Sequence, residues 1–123
     1  MKNKVFPVGS DVEAEALSTD QLISNLHHFS HHYRGRAVTA LGKRLKESET
    51  VFDKILETIN NPINRNSRVL GLTTVSWLGA IAVFENGNKE QIEQINSILK
   101  NWEKTEKEDL KYFLRHTGLP LDF

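Results

Sequence analysis

His27, His28, His31 and His32 are packed into the run HHFSHH, and the pairs His27/His31 and His28/His32 are each four residues apart. On a continuous helix, side chains at i and i+4 share a face, so either pair has the spacing of a transition-metal clamp. Two imidazoles do not complete such a site. The chain has no Cys, and no acid falls between Asp20 and Glu47 to supply a further ligand. A helix junction near Ser30 would scatter the four rings as well. The run is therefore read as a polar histidine cluster that holds no metal and changes charge near the ordinary imidazole pKa of about 6.5. No cofactor is expected.

Other catalytic templates fail on order or spacing. Small helical ribonucleases of the HEPN type place an Arg a few residues ahead of a His on one helix. Here Arg34 and Arg36 follow the cluster, and Arg115 directly adjoins His116. There is no Gly-rich phosphate loop, no His-Glu-x-x-His and no Gly-x-Ser-x-Gly. The absence of Cys removes thiol nucleophiles, cysteine zinc sites and disulfide scaffolds together. The expectation is a protein that is not an enzyme.

Charge points instead to binding. The 123 residues carry 16 Lys and Arg against 16 Asp and Glu, a net charge of zero, yet the signs are segregated. Residues 5–20 hold Asp11, Glu13, Glu15 and Asp20 with no base, whereas 21–46 hold Arg34, Arg36, Lys43, Arg44 and Lys46 with no acid. Arg65 and Arg68 fall in a later turn that would reach the same edge of a helical stack. Arg34, Arg36, Lys43, Arg44, Arg65 and Arg68 are thus the candidate partner-binding residues, forming a basic strip suited to an acidic protein face or to phosphates. Nucleic-acid binders usually carry a domain-wide excess of base, so the neutral total favours a protein partner. Nucleic acid remains the alternative.

Helix punctuation sets the elements that would position this strip. Ser18-Thr19-Asp20-Gln21 has the form of a capping box and opens a helix carrying Leu22, Ile23, Leu26 and Phe29. Tyr33, Ala37, Ala40, Leu41 and Leu45 continue the apolar stripe beyond Ser30. Ser48 can cap a third helix with Val51, Phe52, Ile55, Leu56 and Ile59, which must stop at Asn60-Asn61-Pro62. Next comes an uncharged run, Val69 to Phe84, read with its flank as a buried helix from about Ser67. At 1.5 Å per residue its 16 residues cover roughly 24 Å, short of the ~30 Å core of a bilayer. No membrane partner is expected. Asn86-Gly87-Asn88 separates it from a helix with Ile92, Ile95, Leu99 and Trp102, and Thr105-x-x-Glu108 is a second capping box for the last helix. Alternation is too short for a sheet, although Lys4 to Val8 suits an extended stretch. The N-terminus lacks the apolar region of a secretory signal, so a cytoplasmic location is expected.

These elements group into pairs. Leu41, Leu78 and Leu114 are 37 and 36 residues apart, and Leu41-Gly42 recurs as Leu78-Gly79. Over residues 18–117 the chain resembles HEAT-type helical repeats, which stack antiparallel helix pairs of about 40 residues. The third pair lacks the Gly, and the turns share no Asp or Arg, so no functional residue is carried over. The fold class expected is all-α: about six helices in antiparallel pairs, as a HEAT-like stack or an irregular helical bundle. One domain is expected over 1–123, with an arm at 1–17 and an apolar tail at 118–123. That tail either folds back on the stack or inserts into another molecule. The function that fits is a non-catalytic module of inhibitor or adaptor type, the class to which bacterial immunity proteins neutralising a cognate toxin domain belong.

Overall fold

The computed structural model describes residues 11–123; the stretch Lys4 to Val8 lies outside them. Ser18 ends the first turn of chain and starts a helix, because its Oγ accepts from Gln21 N at 3.1 Å while Gln21 Oε1 accepts from Ser18 N at 2.9 Å. Asn88 and Gln91 repeat that reciprocal arrangement at 2.9 Å in both directions. Each box satisfies two N–H groups that a helix start leaves without partners. The order is α1 (Asp11–Glu15), α2 (Thr19–Asn25), α3 (His31–Gly42), α4 (Glu49–Asn60), α5 (Pro62–Arg65), β1 (Arg68–Leu70), β2 (Thr73–Thr74), α6 (Val75–Asn86), α7 (Lys89–Lys100) and α8 (Lys104–Phe113). The described residues are 65% helix, an irregular helical bundle that includes a single two-stranded sheet among them.

That sheet replaces the first part of the expected helix from Ser67. Gly71 has φ +56°, a left-handed conformation suited to glycine, and it reverses the chain between Val69 and the β-branched Thr73 and Thr74. β1 and β2 pair antiparallel through Arg68 with Thr74 and Leu70 with Thr73. Thr74 then caps α6, its Oγ1 accepting from Trp77 N at 3.1 Å. The uncharged run is thereby divided: Leu70 and Leu72 stand in solvent, and α6 is buried.

At the start of α8 the expected Thr105 capping box does not form. The first helical bond runs from Lys107 N to Glu103 O at 3.0 Å, so Thr105 already lies within the first turn. This earlier start points Glu106 at Trp77 and Arg65, to both of which it bonds.

Helix α6 is central. It forms its most extensive pairing with α3 and also packs against α4, α5 and α7, while α1 and α2 pack on α3. Close approach depends on small residues: a Cβ on Gly42 would meet Ala82 Cβ at 2.5 Å, and one on Gly79 would meet Ile59 Cγ1 at 2.7 Å. Leu41, Val38, Ile55, Ile59, Val83, Ile95, Leu99 and Leu110 fill the core with Trp77 and Trp102. The tail folds back over it. Leu119, Leu121 and Phe123 pack against the core, Asn96 donates to Pro120 O and accepts from Asp122 N, and Phe123 stacks on Phe84.

Candidate functional site

The histidine run is divided by the α2–α3 connection. Because α2 ends at Asn25 and α3 begins at His31, neither i, i+4 pair lies on one helix. His27 is exposed, whereas His28 is buried between Phe29 and Tyr33, its ring centroid 4.3 Å from that of Tyr33. His28 Nδ1 accepts from Ser30 N at 2.7 Å and so must be unprotonated. Burial, then the neighbouring Arg34 charge, hold the imidazole pKa below its ordinary value of 6.5. His31 and His32 follow on the first turn of α3, rings 4.3 Å apart. Among the described residues no group of three or more His, Cys, Asp or Glu is placed to hold a metal ion.

The six cations of the expected strip are not one surface. Arg34 is buried: Nε donates to Asn64 Oδ1 at 2.9 Å, Nη1 to the carbonyls of His28 and Phe29 at 2.6 and 3.0 Å, and Nη2 to Ser67 Oγ at 3.0 Å. It ties the α2–α3 connection to the α5 turn, and burial pulls its pKa below the ordinary value. Arg44 does similar work at the other end of α3, donating to Glu15 O at 2.8 Å, Leu17 O at 2.7 Å and Thr19 Oγ1 at 3.1 Å. Lys43 pairs with Glu15. Arg65 lies 4.4 Å over the Trp102 ring and donates to Glu106 Oε1 at 2.5 Å; its Nε is buried with no hydrogen-bond partner among the described residues. Arg36, half-buried, and Arg68, exposed, border two open clefts.

Those clefts lie on either side of the hairpin. The first is a groove of about 420 Å³ between α3 and β1, lined by His32, Gly35, Arg36 and Thr39 on one side and by Val69, Leu70 and Thr73 on the other, with Leu78 and Phe113 closing it. Gly35 lets the walls approach, since a Cβ there would lie 2.9 Å from Leu78 Cδ1 and 3.5 Å from Val69 Cγ1. Leu70, at its edge, is 80% exposed, and Phe113 is 53% exposed. The second cleft, about 430 Å³, is bordered by Arg65, Arg68, Trp77, Glu103, Glu106 and Asp109, so both signs of charge meet there.

No protein-family model, no curated protein and no solved structure matches the chain. Leu70 of the groove and Leu72 of the second cleft escape a reading by periodicity, because Val69 to Leu72 pass as the start of an apolar helix. The signal that marks them is Gly71 between short runs of Val, Leu and Thr, which suits a reverse turn.

No helix among the described residues is long and apolar enough to cross a membrane.

Proposed function

We propose that this protein is a non-catalytic binding module of inhibitor or adaptor type that works in the cytoplasm and recognises another protein, with bacterial immunity proteins, which neutralise a cognate toxin domain, as the functional class it fits. The observation that carries this reading is the groove beside α3, where Leu70 and Phe113 stand in solvent next to Arg36. Large apolar side chains around a concave site, with cations at its rim, are the usual make-up of a protein contact surface. Nucleic acid draws less support, because Arg34, Arg44 and Arg65 spend their donors inside the fold and the cleft containing Arg68 also contains three carboxylates, those of Glu103, Glu106 and Asp109.

Co-purification from the source cell tests the reading. A partner protein should be retained by the wild-type chain and lost from an Arg36→Glu, Arg68→Glu double variant that keeps its helical circular dichroism. Salt-steep binding to RNA or duplex DNA, abolished by the same variant, would overturn it in favour of nucleic acid.

A further inference from the structure

We infer that the α2–α3 connection is an acid-released clasp: protonation of the His28 ring frees residues 27–30 from Arg34 and from the start of α3, while the core between α3 and α6 stays closed. The inference does not depend on what the protein binds.

The clasp is a set of bonds on successive residues. His28 Nδ1 accepts from Ser30 N at 2.7 Å, and the carbonyls of His28 and Phe29 accept from Arg34 Nη1 at 2.6 and 3.0 Å. Ser30 is the N-cap of α3, yet its own side chain makes no capping bond, so the bond to the imidazole orders the entry to the helix. Such a bond needs the lone pair of an unprotonated Nδ1. A proton there turns the acceptor into a donor facing the Ser30 N–H, within a buried site. No rotation of the protonated ring restores an acceptor. Phe29 and Tyr33 flank the ring at 4.5 and 4.3 Å between centroids, so the imidazolium reaches water by movement of its backbone. That backbone carries the carbonyls that hold Arg34.

Charge acts in the same direction. Burial and the Arg34 guanidinium both oppose a proton on the ring in the closed form. Helix α3 also contributes Tyr33 and, on its first turn, His31 and His32, where positive charge opposes the helix dipole. His27 stands exposed beside the ring in the connection. On α4, Lys54 and Glu57 border the cleft next to His27 and pair with each other at 3.2 Å. The α5 turn meets Arg34 through the neutral Asn64 and Ser67. Among the described residues no carboxylate bonds to the imidazole. Release is local because little else is buried there: from residue 27 to residue 32 only His28 is enclosed, and Phe29 is 89% exposed. The bonds from Arg34 to Asn64 and Ser67 do not involve the connection and keep the start of α3 in place.

Native-state hydrogen exchange tests the clasp. The Ser30 N–H, bonded to the ring, and the Arg34 N–H, bonded to Ser30 O at 3.1 Å, report on it. The open form binds the proton at the ordinary imidazole value of 6.5, which the closed form resists. Protection of both amides should therefore fall by about tenfold between about pH 7.5 and about pH 5.5. Low urea should leave their exchange nearly unchanged, because the opening exposes little surface, but should speed exchange of core amides such as those of Leu41 and Val83. Ring-nitrogen NMR should show His28 changing charge with the same midpoint. His28→Asn, which keeps an acceptor but does not titrate, should abolish the fall, and His32→Asn should not. The inference is overturned by protection that does not change with pH or by a fall that persists in His28→Asn. Ser30 exchange as urea-sensitive as that of the core would overturn it too, since the proton would then act only through global unfolding. If His28→Asn does not fold, the wild type decides: a midpoint that follows the His28 ring supports the clasp, and one that follows a different histidine overturns it.

Discussion

Arg34 Nε donates to Asn64 Oδ1 at 2.9 Å, joining the start of α3 to the turn after α4. Asn64 passes the connection on, donating from Nδ2 to Thr58 O at 3.0 Å near the end of α4. The guanidinium is surrounded by neutral acceptors, the two carbonyls of the α2–α3 connection, an amide and a hydroxyl. A cation buried in this way is held by hydrogen bonding rather than by an ion pair. Arg34 is consequently a structural residue, although its sequence neighbourhood is that of a surface strip.

Arg34→Met should therefore cost about 2–4 kcal/mol in urea denaturation, because it leaves buried acceptors without donors. Arg68→Met, at an exposed position, should stay within about 0.5 kcal/mol of wild type. Equal small effects would mean that Arg34 is not the tie between the two turns.

His28 makes stability depend on pH. Its folded pKa is lowered from 6.5 by burial and by Arg34, so below that value the unfolded chain takes up a proton that the folded chain refuses. Stability from this group is present above the unfolded pKa and is lost as pH falls from 6.5 towards the lower folded pKa. His28→Asn keeps an acceptor for Ser30 N–H but does not titrate, and it should flatten the fall in melting temperature over that acidic range. An unchanged slope would place the dependence on another group.

The α3–α6 crossing should respond to volume at Gly42. A Cβ there meets Ala82 Cβ at 2.5 Å, so Gly42→Val should destabilise by about 1–3 kcal/mol through overpacking. Gly42→Ala should be milder, and Ala82→Gly should recover part of its loss in a double-mutant cycle. Additive losses would mean that the two positions do not share one contact.

Trp77 combines core packing with one polar bond. Trp77→Ala should cost about 3–5 kcal/mol as a buried large-to-small change. Trp77→Phe keeps most of the ring but loses the bond from Nε1 to Glu106 Oε2 at 3.0 Å, a loss of about 1 kcal/mol. A negligible effect of the Ala variant would contradict the central place of α6.

Much of the helical skeleton is legible in the sequence because it is written in local chemistry. Ser18 with Gln21 and the Asn61-Pro62 stop act within a few residues, and each occurs where expected; Asn88 with Gln91 caps the helix that follows Asn86-Gly87-Asn88 in the same local way. The stripe of Val51, Phe52, Ile55 and Ile59 likewise faces the core. The site was less legible, since side-chain burial depends on distant partners. Nothing near Arg34 distinguishes it from Arg36; the difference lies in Asn64 and Ser67, which are 30 and 33 residues away. The hairpin was hidden because Val, Leu and Thr suit a strand or a buried helix alike, and the positive φ of Gly71 decides between them. Leu-Gly at Leu41-Gly42 and at Leu78-Gly79 had a physical basis in tight packing, with Gly42 against Ala82 and Gly79 against Ile59.

The central claim is that the face around Leu70 meets another protein, and site-specific photo-crosslinking in the source cell tests it most directly. A photoreactive residue in place of Leu70, which is 80% exposed, should yield a covalent adduct with a second protein, and one in place of Gln94, exposed on α7 in a different cleft, should not. Sequencing of the adduct should identify that protein. Adducts at Gln94 but none at Leu70, or nucleic acid trapped at Leu70, would contradict the account.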